Sequence, residues 1–485
     1  MSTIRKSLLS MAVASIVAAP LIANAEGFGT ISANMALTTD YKYRGLSQTD
    51  NNGAIQGGFD WKHDSGVYVG VWASNVDFDG ETDSGRAWSE NFEIDTYAGF
   101  ANDIGDTGIG YDVGILRYNY NDDKKSDYGT NEWYISGSYA FFNAGFKYSD
   151  DWFGSSEESK YVHMGVDFEL PYEIGLSASV GKSFGDAYKK KNLGKNSEYV
   201  DYSIGINKDY FGLNFDVSYI GNDLSNSECN AVGYQTNQCD EKFVLTVSKS
   251  IGDVTKTSEG SDLPITANIA LATDYMFRGI SQTDNKGAIQ GGFDYEHDSG
   301  LYAGVWASNV DFDGETNSGK AWSEHLEVDT YAGFKNDISD TGFAYDVGFL
   351  RYNYNDDSKS DYGTNEFYIS GSYSFFTLGY KYSDDWYGTD EESNYVHGGF
   401  DYDLPYEIAL SATVGKSFGD AYKKKTLGKD AEFVDYSIGI TKELAGVDVG
   451  LSYIGNDLSN SECNAVGYET NQCDERFVLS LSKSF

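Results

Sequence analysis

The chain has 485 residues, with 75 Asp+Glu against 35 Lys+Arg and a formal charge of −40. That acidic excess excludes a nucleic-acid binder, which needs a basic face, and suits divalent cations, cationic solutes or a cation-bridged lipid surface. Tyr (39), Phe (28) and Gly (55) are abundant while Pro (4) and Met (5) are rare, a strand-and-turn composition that excludes a helical or disordered chain.

Residues 1–25 read as a cleaved signal peptide. Arg5 and Lys6 make a positive start, Leu8 to Ile22 is mostly apolar, and Ala23-Asn24-Ala25 fits the small-x-small rule. The apolar part is too short for a spanning anchor, and no later run reaches transmembrane-helix length.

The remainder is one unit present twice. Thr39-Asp40-Tyr41-Lys42-Tyr43-Arg44-Gly45-Leu46-Ser47-Gln48-Thr49-Asp50 returns as Thr273 to Asp284, an offset of 234. Trp72 maps to Trp306, Arg117 to Arg351 and Cys229 to Cys463 at the same offset without a gap. Function is therefore to be read from one unit. The expected organisation is a signal peptide (1–25), a first repeat (26–251), a linker (252–262) and a second repeat (263–485).

Within a unit, the first strand runs from Ile31 to Arg44. Ile31, Ala33, Met35, Leu37, Thr39, Tyr41 and Tyr43 fall on one face, and Ser32, Asn34, Ala36, Thr38, Asp40, Lys42 and Arg44 on the other. Strict period two means a strand between two different environments. About 13 residues of it exceeds a globular strand and suits a tilted membrane crossing. Further strands are expected near Ala54–Trp61, Val67–Val76, Phe92–Ala101, Ile109–Tyr120, Glu132–Phe141, Ala144–Ser149, Tyr161–Leu170, Ile174–Phe184, Tyr199–Lys208, Leu213–Ile220 and Lys242–Ile251. The fifth changes phase near Leu116-Arg117, as a bulge would. Short and long connections alternate, which fits short periplasmic turns, long outer loops and an even strand number.

The predicted fold is thus all-β: a transmembrane antiparallel barrel of about 12 strands per repeat. Two 12-stranded barrels are favoured over one of 24 strands. The segment 252–262 is long for a short-side turn, Glu259-Gly260 echoes Glu26-Gly27, and wide barrels need plugs for which no residues are left over. The last strand, Phe477 to Phe485, alternates and ends on an aromatic residue, resembling the C-terminal signal read by the outer-membrane barrel-assembly machinery; Lys483 departs from it.

The motif Thr39–Thr49, repeated at Thr273–Thr283, resembles T-D-Y-x-[FY]-R-G-[IL]-S-Q-T of the TorF-type porin family, and one unit corresponds to a whole member. The resemblance implies a bacterial outer-membrane barrel with porin activity, no catalytic residues and no defined substrate.

Asp40, Arg44, Asp274 and Arg278 are pore-lining candidates near the outer mouth, with Arg117 and Arg351 as further candidates of uncertain direction. For the first four, a charge network bracing the wall is an equal reading. Cys229/Cys239 and Cys463/Cys473, each ten apart in a long loop of an exported chain, read as disulfides. Asp77 to Asp83 and Asp311 to Glu315 have carboxylates at calcium-like spacing but lack the full loop, so a solvated acidic loop is preferred. Lys189 to Lys191 and Lys423 to Lys425 suit lipopolysaccharide contacts or a solvated loop rather than a ligand site. The five histidines make no catalytic constellation. No cofactor is expected. The function expected is passive diffusion of small hydrophilic solutes or ions, mildly cation-selective, the alternative being a closed structural or adhesive barrel whose loops bind a surface partner. Solute, oligomeric state and regulation are not specified.

Overall fold

The computed structural model describes residues 29–81, 87–120, 128–190, 195–254, 265–315, 321–354, 362–424 and 429–485. The side chains of residues 79–81, 87–89, 190, 195, 313–315, 321–323, 424 and 429 are not among those described. The signal-peptide reading, most of the linker, Lys191, Lys425 and most side chains of the two acidic stretches lie outside.

Alternating strands close each repeat into its own antiparallel barrel of 12 strands. The first comprises β1 (Thr30–Thr38), β2 (Ala54–Lys62), β3 (Val67–Glu81), β4 (Ala87–Asp103), β5 (Ile109–Tyr120), β6 (Thr130–Tyr139), β7 (Phe142–Ser149), β8 (Ser159–Leu170), β9 (Ile174–Phe184), β10 (Tyr199–Tyr210), β11 (Leu213–Asn222) and β12 (Lys242–Ile251). Neighbours in sequence pair throughout, and β1 closes the ring on β12 with Ala33 opposite Ile251 and Thr38 opposite Thr246. The second barrel repeats this from β13 (Ile265–Ala272) to β24 (Arg476–Ser484), and its final residue Phe485 exchanges backbone hydrogen bonds with Ala267. Closure leaves no unpaired edge.

The two faces of the wall differ as the alternation requires. On β6, Trp133 and Ile135 point outward at 56% and 55% exposure, while Glu132, Tyr134 and Ser136 point inward. Phe142, Met164, Ile204 and Ile206 continue the exposed apolar surface around the first barrel.

Three local expectations change. First, β1 ends at Thr38, and residues 40–53 leave the wall and fold into the barrel end. The premise that no residues remain to plug a lumen therefore fails, although the two-barrel architecture stands. Second, β5 has no bulge: its pairing with β4 runs unbroken from Asp103–Gly110 to Glu93–Tyr120. Leu116, Tyr118 and Tyr120 are inward and apolar because a packed cluster meets them there. The register shift lies instead between Asn75 and Phe78 of β3. Third, β3 and β4 extend well into the stretch read as an acidic loop.

Inward glycines let aromatic side chains lie flat on the wall. A Cβ on Gly114 would sit 2.3 Å from the Tyr134 hydroxyl and 2.5 Å from the Ala98 carbonyl. One on Gly181 would meet the Tyr161 hydroxyl at 2.1 Å. Gly114→Val is therefore expected to lower the stability of the first barrel by about 1–3 kcal/mol through overpacking, read from the denaturant midpoint. Gly137→Ala, whose nearest neighbour would be 3.5 Å away, is expected to stay within about 0.5 kcal/mol.

Candidate functional site

The repeated motif builds the site. Lys42-Tyr43 and Leu46-Ser47 pair as a miniature hairpin around the two-residue turn Arg44-Gly45. Both turn residues have positive φ, 48° and 78°, which is the primed-turn geometry that suits tight hairpins. Glycine is required at 45, since a Cβ there would stand 2.6 Å from the Gly221 carbonyl. Arginine at 44 bears the left-handed backbone at a cost of roughly 1–2 kcal/mol.

Asp40 organises the base of the loop. Its Oδ1 accepts hydrogen bonds from Ser47 Oγ at 2.6 Å and Thr49 Oγ1 at 3.2 Å. The single Thr49 hydroxyl proton is shared with the Asn52 carbonyl at 2.7 Å, and Gln48 Nε2 donates to the Leu46 carbonyl at 2.9 Å. The repeated string of residues is thus a self-bonded loop, fully buried from Asp40 to Thr49 in the first copy.

Arg44 projects from the tip. Its guanidinium forms an ion pair with Glu132 of β6, both side chains 1% exposed. It lies 4.1 Å from the ring centre of Tyr161, 4.8 Å from Trp152 and 4.9 Å from Tyr43. Such desolvated cation–π contacts are worth roughly 2 kcal/mol. Lys147 of β7 stands 3.8 Å from the other oxygen of Glu132. Trp152 enters from a 3-10 turn, Trp152–Gly154, in the loop after β7, and that loop is tied down by a hydrogen bond from the Phe153 backbone NH to Thr130 Oγ1 at 2.8 Å. The second barrel repeats the set with Arg278, Glu366, Lys381, Trp386, Tyr395 and Phe277 in place of Tyr43.

A cap covers the loop. Residues 223–241 carry the short helix α1 (Asn226–Ala231), started by a Ser225–Glu228 capping box, and the disulfide Cys229–Cys239. Asn222 Nδ2 donates to the carbonyls of Gly45 and Cys239, both at 2.9 Å. Lys42 Nζ donates to the carbonyls of Gln238 at 3.2 Å and Asp240 at 2.9 Å. Burial pulls the Lys42 ammonium below its ordinary pKa, with Asp40 opposing. Cys463–Cys473 closes the equivalent cap.

Around and below this plug the inward wall is acidic. Asp60, Glu93, Asp95, Asp112, Glu132 and Asp201 face inward, against Lys62, Lys147 and Lys242. Tyr68 donates to Asp112 at 2.6 Å, and Tyr97 donates to Asp60. Among the described residues no group of three His, Cys, Asp or Glu is arranged to hold a metal ion.

The expected candidates divide as follows. Asp40 and Arg44 in the first barrel, and Asp274 and Arg278 in the second, are each buried at their own barrel's end, bonded to protein groups of the same barrel. Arg117 and Arg351 sit on the outer face, opposite Thr96 and Thr330, with Nε bonded to Asn119 and Asn353. Lys189 and Lys423 pair with Asp186 and Asp420 in the loop after their ninth strand. Glu132, Lys147, Trp152 and Tyr161 went unnoticed in the sequence. A signal was present: each recurs unchanged at Glu366, Lys381, Trp386 and Tyr395, and Trp152-Phe153 is an aromatic pair inside a polar loop.

The two copies test one contact. Lys42 is Met276, and Lys242 is Arg476, whose guanidinium stands 3.0 Å from Asp274. The cation on this aspartate has moved from the loop to the last strand. Lys42→Met alone is expected to cost about 1–3 kcal/mol by stripping two carbonyls and Asp40 of their partner. Adding Lys242→Arg is expected to restore part of that loss, read as the shift of the denaturant midpoint. Replacing Cys229 and Cys239 by serine is expected to cost roughly 2–3 kcal/mol for so short a closed loop and to speed proteolysis within 223–241.

No curated protein matches the chain. Among solved structures, the KdgM porin aligns at TM-score 0.29 and 8% identity, over 45% of this chain and 99% of its own. The NanC porin aligns at 0.29 and 11%, over 46% and 98%. The P pilus usher PapC translocation pore aligns at 0.33 and 8%, over 94% and 99%. These scores are low, and the barrel architecture above stands on strand pairing alone. The family described as a bacterial protein of unknown function (Gcw_chp) matches residues 22–251 and again residues 256–485, so the chain belongs to that family and carries its unit twice.

Proposed function

We propose that each unit is an outer-membrane channel for small hydrophilic solutes or ions, mildly selective for cations, whose outer mouth is closed at rest by the folded-in first loop. The carrying observation is the sorting of the wall: exposed Trp133, Ile135, Phe142 and Met164 outside, and a polar, carboxylate-rich face inside. A soluble protein rarely exposes so continuous an apolar surface, whereas lipid around a closed barrel requires it. The motif likeness to TorF-type porins supports the same reading, as does the signal-peptide pattern of residues 1–25 for export. In this reading the partners are outer-membrane lipid and lipopolysaccharide, with Phe485 presented to the assembly machinery.

The inward carboxylates outnumber the inward lysines, so cations are concentrated in the lumen relative to anions. A second reading, a closed structural or adhesive barrel, is favoured by one observation, the complete burial of Asp40 to Thr49 under a disulfide-bonded cap.

Planar-bilayer recording in a KCl gradient separates the two. Channel activity is expected, rising when residues 40–52 and 274–286 are deleted, with a reversal potential displaced toward the potassium equilibrium potential. Absence of conductance from folded protein, with and without that deletion, would favour the structural barrel.

A further inference from the structure

The Arg44 guanidinium is the occupant of a built pocket. Three components belong to the wall and its loops: Glu132 on β6, Trp152 in the loop after β7 and Tyr161 on β8. Only Arg44 and Tyr43 come from the motif loop. Withdrawal of that loop would leave a carboxylate flanked by two electron-rich rings, which is the chemistry that recognises an organic cation.

The occupant is poised for exchange. Arg44 and Arg278 hold positive φ, 48° and 47°. In both copies the arginine Nη1 is buried without a hydrogen-bond partner among the described residues, although a guanidinium offers five donors. Lys147 shares Glu132 at 3.8 Å, and Lys381 shares Glu366 at 3.2 Å. Departure of the arginine therefore does not strand a buried carboxylate without a counter-charge, which would otherwise be the main obstacle to release.

Resting on the channel reading above, we propose that Arg44 and Arg278 are latches seated in a guanidinium site, and that small solutes bearing a guanidinium or similar planar cation are the ligands that displace them. Entry of such a solute against Glu132, Trp152 and Tyr161 unseats the loop 39–53 and opens the mouth. The acidic wall delivers the cation to the site. The ligand class is thus set by the side chain it replaces, a planar delocalised cation on a short aliphatic stem.

The test is single-channel recording of the full chain in KCl with agmatine as probe, against an equal increment of potassium. Agmatine is expected to raise the open probability of the wild type several-fold, and potassium to leave it unchanged. In R44A/R278A the open probability is expected to be high from the start and insensitive to agmatine. In R44K/R278K, which keeps the charge but loses the fork, half-maximal opening is expected at lower agmatine than in the wild type. An equal response to agmatine and potassium, or an unchanged midpoint in the lysine variant, overturns the latch while leaving the channel reading intact. Absence of conductance in the wild type and in the variant lacking residues 40–52 and 274–286 defeats the channel reading itself, and the latch with it.

Discussion

The buried ion pair between Arg44 and Glu132 decides where the first loop lies. A buried arginine without a counter-charge costs several kcal/mol, and here the carboxylate and the flanking rings meet only inside the barrel end. Once the arginine is seated there, the loop must follow it inward. The positive-φ turn, the glycine pressed against Gly221, and the self-bonding of Asp40, Ser47 and Thr49 are what allow a loop this short to reach that depth. Asn222 of the wall then bonds the buried Gly45 carbonyl, and Lys42 of the loop bonds the Gln238 and Asp240 carbonyls of the disulfide-bonded cap.

The duplication separates what this arrangement requires from what it tolerates. Arginine, glutamate, tryptophan, the wall tyrosine and the second lysine are identical in both copies. The cation near Asp40 is not: it is Lys42 in one copy and Arg476 in the other. Tyr43, whose hydroxyl bonds Tyr118 at 2.9 Å, becomes Phe277, while Tyr352 keeps its bond to Glu366. Lower on the wall, Lys62 becomes Glu296 and pairs with Lys335, where the first copy has Ala101. Charges outside the core set move between segments that face the same spot because their role is local neutralisation, which any cation within reach supplies.

Local patterns misled the reading in two places, for related reasons. The first strand reads on to Arg44 because the alternation of apolar and polar residues continues past Thr38. Period two reports two environments, and a miniature hairpin packed inside a barrel also has two. On β5 the alternation breaks at Leu116 because the inward face changes from polar to loop-packed, so an apolar residue belongs inside and Arg117 is carried to the outer face. A pattern that assumes a uniformly polar interior cannot express this.

From the sequence alone came the duplication, the strand number, the loop asymmetry and the pairing of cysteines within each unit. All of these depend on neighbours along the chain, where periodicity and spacing act directly. The tertiary structure alone decided that each unit closes on itself, that the motif loop turns inward, and that Glu132, Trp152 and Tyr161 surround Arg44. Those residues lie 88, 108 and 117 positions from the arginine. They are brought together only by the curvature of a closed sheet, which no local pattern encodes.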